Sequence, residues 1–304
     1  MRLLLTGLVA LFVLAGCSGR QVLNSLTPSS GYDLASNLVY DPDKNLRLDV
    51  YAPHNVRNAP VVVFFFGGRW TSGDKEDFRF VGEALASRGF VAVLPNYRLY
   101  PTVRFPEFVN DGARSVAWLR DNVTTYGGDP DKIFVMGHSS GAHTAAMLAL
   151  REQYLAGVGG SRTWLRGMIG LAGPYDFLPI TDPTLRDVFG PPESFQQSQP
   201  VLFVEGDNPP ILLMHGEDDE IVEVRNTRAL AEAIERAGGP IETVIYPKMS
   251  HRYMLSSLAK PLRGQTDVIQ HVADFVRRWA TASRESARPP DADPGIQTMP
   301  LPIN

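Results

Sequence analysis

Between residues 38 and 279, short apolar runs alternate with stretches whose apolar residues recur every three or four positions. Residues 46–51 place Leu46, Leu48 and Val50 at alternate positions, the pattern of a half-buried strand. Residues 61–66 read Val-Val-Val-Phe-Phe-Phe without interruption, as a strand covered on both faces does. Residues 90–94, 133–136 and 211–214 share that character, and 168–171 and 243–246 are weaker strand candidates. Helical spacing occupies the gaps: residues 108–122 carry Val109, Ala113, Val116, Ala117 and Leu119, and 230–237 and 268–279 follow the same period. The alternation predicts an α/β fold, a mainly parallel central sheet with helices on both faces, whose sites lie at the carboxyl ends of the strands.

Both ends of the chain depart from this pattern. Arg2, the apolar run 3–14 and the small residues Ala15 and Gly16 precede Cys17, the single cysteine of the 304 residues. The three regions are those of a secretory signal, and the apolar run is short for a membrane span. Leu14-Ala15-Gly16-Cys17 also resembles the lipobox of bacterial lipoproteins, which implies a signal peptide at 1–16, cleavage before Cys17 and lipidation of that residue. In that class of signal, Ser18 after the cysteine points to the outer membrane, with the protein facing the periplasm. An ordinary secreted protein with a chance cysteine is the alternative. Residues 17–35 then serve as the lipidated N-terminus and a tether, since 21–31 are rich in Asn, Ser, Thr, Pro and Gly; some 20 such residues reach roughly 25 Å. Residues 36–284 form the expected folded domain, and 285–304 a proline-rich tail.

Bulk composition narrows the partners. Hydrophobic residues at 44% and charged residues at 20% suit a globular enzyme with a large core. A net charge of -4 supplies no broad basic surface, so nucleic acid is not an expected partner. A lone cysteine excludes an intrachain disulfide.

The chemistry is concentrated where strands end. Residues 133–136 lead into Gly137-His138-Ser139-Ser140-Gly141 and then an alanine-rich helical stretch, the strand-turn-helix setting of a nucleophile elbow. The glycines permit a tight turn that presents Ser139, while the helix start and the N–H of Ser140 face a developing oxyanion. The strand ending at Phe66 runs into Gly67-Gly68-Arg69-Trp70, where Gly68 and Arg69 are the expected further oxyanion donors. A plain glycine turn is the alternative for that segment. After 211–214 comes His215-Gly216-Glu217-Asp218-Asp219, and an acid there orients a catalytic imidazole. Asp219 is the expected acid, with Glu217, Asp218 and Asp176 as alternatives. His251 follows the last strand candidate, in the order serine, acid, histidine. His54, His138, His143, His215 and His271 are read as structural.

Taken together, Gly67-Gly68-Arg69-Trp70, Asn96-Tyr97-Arg98-Leu99, Tyr126-Gly127-Gly128-Asp129-Pro130 and the elbow make residues 38–279 resemble α/β-hydrolase esterases. They are similar to the Gly-Gly-x-Trp branch, which includes feruloyl-esterase-like, kynurenine-formamidase-like and isoprenylcysteine methylesterase-like enzymes. Asp219 matches His-Gly-x-x-Asp-x-x-Val, with Val222 in register. Ser250-His251 with Pro261-Leu262-Arg263-Gly264 is most similar to the methylesterase-like members. The branch commonly has a loop-supporting histidine before the glycine pair; here that position is Phe66.

The resemblance implies a small cap, expected within 176–210, and a serine carboxylesterase acting through an acyl-enzyme on a small or apolar ester. Ser139 attacks, His251 takes its proton, and Asp219 holds the imidazole, with no metal and no organic cofactor. An amidase or peptidase on the same scaffold and a non-catalytic binding module are the rival readings. The sequence specifies neither the particular ester nor an oligomeric state.

Overall fold

The computed structural model describes residues 19–282. The signal segment, Cys17 and the proline-rich tail from residue 285 lie outside the described residues. Eight strands form one sheet: β1 (Tyr32–Asp41), β2 (Leu46–Pro53), β3 (Ala59–Phe65), β4 (Val91–Pro95), β5 (Gly128–His138), β6 (Leu165–Leu171), β7 (Ile211–Gly216) and β8 (Ile241–Tyr246). Their spatial order is β1-β2-β4-β3-β5-β6-β7-β8. The pairs β1–β2 and β2–β4 are antiparallel, and all the others are parallel.

Strand β3 lies between β4 and β5, which explains its unbroken apolar run: residues 61–66 are at most 1% exposed because helices cover both faces. One face carries α2 (Arg79–Ala86) and α9 (Val268–Thr281), which also touch each other. The other carries α3 (Glu107–Asn122), α4 (Ser140–Leu150) and α7 (Arg225–Arg236). Short α5 (Gln153–Ala156) follows α4. Between β6 and β7 the chain forms α6 (Pro183–Phe189) and two 3-10 turns, Pro192–Ser198 and Pro200–Phe203, within the segment expected to hold the cap. Short α8 (His251–Ser256) follows β8.

Part of the expected tether is helical. Residues Gly19–Ser25 form helix α1, and it is docked. Asn24 Nδ2 donates to the Glu76 carbonyl at 2.6 Å, and Asn24 Oδ1 accepts from the Phe80 N–H at 3.3 Å, near the open start of α2. Arg20 adds an ion pair with Asp77 at 3.7 Å. The sheet also begins at Tyr32, earlier than the apolar pattern indicates.

Candidate active site

Strands β5, β7 and β8 end on the same edge of the sheet and deliver Ser139, Asp219 and His251 there. Ser139 has φ 55° and ψ -126°, a conformation that L-residues avoid, and its N–H is held by the Leu171 carbonyl of β6 at 2.9 Å. The turn is this sharp because α4 starts hard against β3: a Cβ on Gly141 would lie 2.0 Å from the Phe65 carbonyl oxygen. Only glycine fits that contact.

Asp219 and His251 are brought together. His251 Nδ1–H donates to Asp219 Oδ2 at 2.7 Å, with Asp219 7% and His251 6% exposed. The other carboxylate oxygen accepts from the N–H groups of Ile221 and Val222, each at 2.9 Å. His215 Nε2 lies 3.1 Å from Asp219 Oδ2 and 2.8 Å from the Val222 carbonyl, while its Nδ1 meets the Thr227 hydroxyl at 2.7 Å. Both neighbours of Nε2 accept, so Nε2 carries the proton and Thr227 donates to Nδ1. Burial alone raises the Asp219 pKa, but hydrogen bonds from His215, His251 and the Val222 N–H outweigh it and hold the carboxyl well below the usual carboxylate range.

The alternative acids sit elsewhere. Glu217 is exposed and paired with Arg228 at 2.5 Å, Asp218 is exposed, and the backbone of Asp176 is held by Asn226 and Arg225.

The loop after β3 is built on three consecutive positive φ values, Gly68 at 151°, Arg69 at 57° and Trp70 at 60°. A Cβ on Gly68 would fall 1.8 Å from the Ser72 carbonyl oxygen, so this position requires glycine. The N–H of Gly68, an expected oxyanion donor, is engaged here by Ser140 Oγ at 3.0 Å. That bond ties the loop to the first residue of α4. Ser140 itself begins α4, where an N–H has no intrahelical acceptor.

Phe66 stands where a polar loop support was expected, and stacking replaces it. Its ring lies between Tyr97, 4.4 Å away at 21°, and Phe78, 5.4 Å away at 6°. The Tyr97 hydroxyl donates to the Phe66 carbonyl, so the loop's root is held through its backbone. Beyond it, Trp70 packs against Phe108, His143, Phe177 and Phe189 at centroid separations of 6.0, 5.2, 6.2 and 4.8 Å. Phe177 and Phe189 come from the segment between β6 and β7, which therefore closes one side of the loop with an aromatic wall.

Two histidines read as structural prove to be partners of this site, His215 beneath Asp219 and His138 beside His251. His138 Nε2–H donates to the His251 carbonyl at 3.1 Å, and the two rings are 4.6 Å apart. Their sequence signal was adjacency alone: His138 precedes the nucleophile candidate and His215 directly follows the apolar run 211–214.

A mostly parallel sheet in this order, with a strained serine after β5 and an acid–histidine pair after β7 and β8, defines the α/β-hydrolase class. Within that class the chain belongs to the BD-FAE family, which it matches over residues 48–234. It is 31% identical over 255 residues to a probable isoprenylcysteine alpha-carbonyl methylesterase of Arabidopsis thaliana, covering 76% of this chain and 53% of that protein. It is 29% identical over 264 residues to esterase LipQ of Mycobacterium tuberculosis, covering 79% of this chain and 61% of that one. The chain thus spans little more than half the length of these relatives. Among solved structures, esterase 2 of Thermogutta terrifontis phosphoramylated by tabun superposes with a TM-score of 0.69 at 26% identity, covering 83% of this chain and 96% of that one. A truncated carbohydrate esterase from gut microbiota shares the fold, with a TM-score of 0.72 at 20% identity over 84% of this chain and 99% of that one.

Proposed function

We propose that this protein is a serine carboxylic-ester hydrolase working through an acyl-enzyme. The observation that carries the reading is the buried Asp219–His251 pair at 2.7 Å on the strand edge that also presents Ser139 in a strained turn. Ser139 Oγ attacks the ester carbonyl as His251 takes its proton; Asp219, kept ionised by four donors, fixes Nδ1–H and stabilises the imidazolium. The backbone N–H groups of Arg69 and Ser140 receive the oxyanion, while Gly68 anchors the loop through Ser140 Oγ. Protonation of the leaving alkoxide by His251 releases the alcohol, and water activated by the same base then frees the acid. The esterase relatives favour a carboxylic ester as substrate, and we take it to be a small or apolar one.

The test is hydrolysis of p-nitrophenyl butyrate by Ser139→Ala, expected to fall by up to about a million-fold. Turnover close to that of the unaltered protein would remove the assignment. For location, our reading is a lipid on Cys17 holding the enzyme at the bacterial outer membrane on its periplasmic side. Cys17→Ala should then leave the membrane fraction, and retention there would argue against it.

A further inference from the structure

The base and the nucleophile of this site sit on strands that do not touch. Strands β6 and β7 lie between β5 and β8, so His251 must reach across two strands to meet Ser139. Asp219 secures only the Nδ1 side of its imidazole. We infer that His138, the residue immediately before the nucleophile, is a positioning residue that locks the backbone and ring of His251 over the β5 edge; this rests on the proposed serine-hydrolase reading.

Three observations carry it. The Nε2–H of His138 donates to the His251 carbonyl at 3.1 Å, joining the elbow to the base loop across the two intervening strands. The rings sit 4.6 Å apart at 47°, so His138 also packs against the imidazole it positions. On its other side His138 abuts the oxyanion loop, since a Cβ on Gly67 would meet His138 Nδ1 at 3.1 Å and its carbonyl oxygen at 2.8 Å. One side chain thereby sets the spacing of nucleophile, base and loop.

Its charge state fits the task. Burial, aided by the neighbouring His251 imidazole, pushes the His138 pKa down to about 3. It therefore stays neutral beside a group that must become cationic during the reaction, and its proton remains on Nε2 for the carbonyl.

The experiment compares His138→Leu, His138→Gln and His138→Asn with the unaltered enzyme on p-nitrophenyl butyrate, alongside Ser139→Ala. Leucine retains bulk without a donor, and kcat is expected to fall about 10- to 100-fold, as misplacing a catalytic group does, with KM changed less than about twofold. Glutamine places an N–H near the position of Nε2 and should recover most of the rate. Asparagine, one methylene shorter at equal polarity, should not, and this pair serves if the leucine variant fails to fold. Equal kcat in the leucine and unaltered enzymes, or equal rates for glutamine and asparagine, would overturn the positioning role. Persistent activity in Ser139→Ala would instead overturn the underlying hydrolase reading.

Discussion

Phe66 shows how a single side chain can replace a polar support with packing. The ring is 1% exposed and stacked on both faces, and the hydrogen bond that holds the loop's root goes to its carbonyl rather than to its side chain. Phe66→His should therefore lose burial and stacking and lower stability by about 1–3 kcal/mol, read from the urea midpoint, while kcat stays within about tenfold. A more stable histidine variant would mean that the sandwich is not what holds the loop. Asp219 is the opposite case, a residue whose charge carries its role in the proposed mechanism. Asp219→Asn keeps the shape but removes the acceptor that selects the His251 tautomer, so kcat is expected to drop about 10⁴-fold with the fold retained. Activity within tenfold of the unaltered enzyme would contradict the pairing.

Among the elements, the strands buried on both faces were legible because a short, continuous apolar run is what a strand covered by helices above and below requires. Of the runs 61–66, 133–136 and 211–214, all but Phe66 accordingly fall in β3, β5 and β7. Strand β1 was not legible. It is an edge strand with Leu34 and Val39 exposed, and its pairing with β2 is interrupted between Ala35 and Leu38 and again between Val39 and Asp41, which destroys the alternation. Helix α2 went unread as well: residues 80–86 are all buried, Glu83 among them, so burial along it does not follow the polar and apolar positions. The elbow was legible as a motif, and Asp219 and His251 by order along the chain. The contacts of His138 and His215 were not legible, since each depends on which strand ends become neighbours in space. Where α4 meets β3, Gly141→Ala would force a methyl group into the Phe65 carbonyl. The expected result is a loss of about 3 kcal/mol or more, or no soluble protein, measured by thermal unfolding. An alanine variant of unchanged melting temperature would show that the elbow has slack.

At the scale of the whole molecule, buried histidines link the fold to pH. Burial pushes His138 down to about 3 and His143 down to about 4, and His143 spends its Nε2–H on the Ser198 carbonyl. The unfolded chain protonates these groups below about pH 6.5, whereas the folded protein does not until near their depressed values. Unfolding therefore takes up protons, and stability falls as pH drops from about 6.5 toward 4, by up to about 1.4 kcal/mol per pH unit for each histidine. Asp219 acts at lower pH: its depressed pKa adds stability that is complete above the ordinary carboxylate range and lost as pH falls through and below it. Urea unfolding across this range should give a visibly shallower slope for His143→Phe, and an unchanged slope would mean that His143 is not the neutral buried group described.

Every step of the proposed reaction passes through one atom, Ser139 Oγ. Treatment with a fluorophosphonate followed by peptide mass mapping is predicted to find a single adduct, on Ser139, absent from Ser139→Ala and formed far more slowly in His251→Ala. An adduct on another residue, or continued ester turnover with Ser139 unmodified, would contradict it.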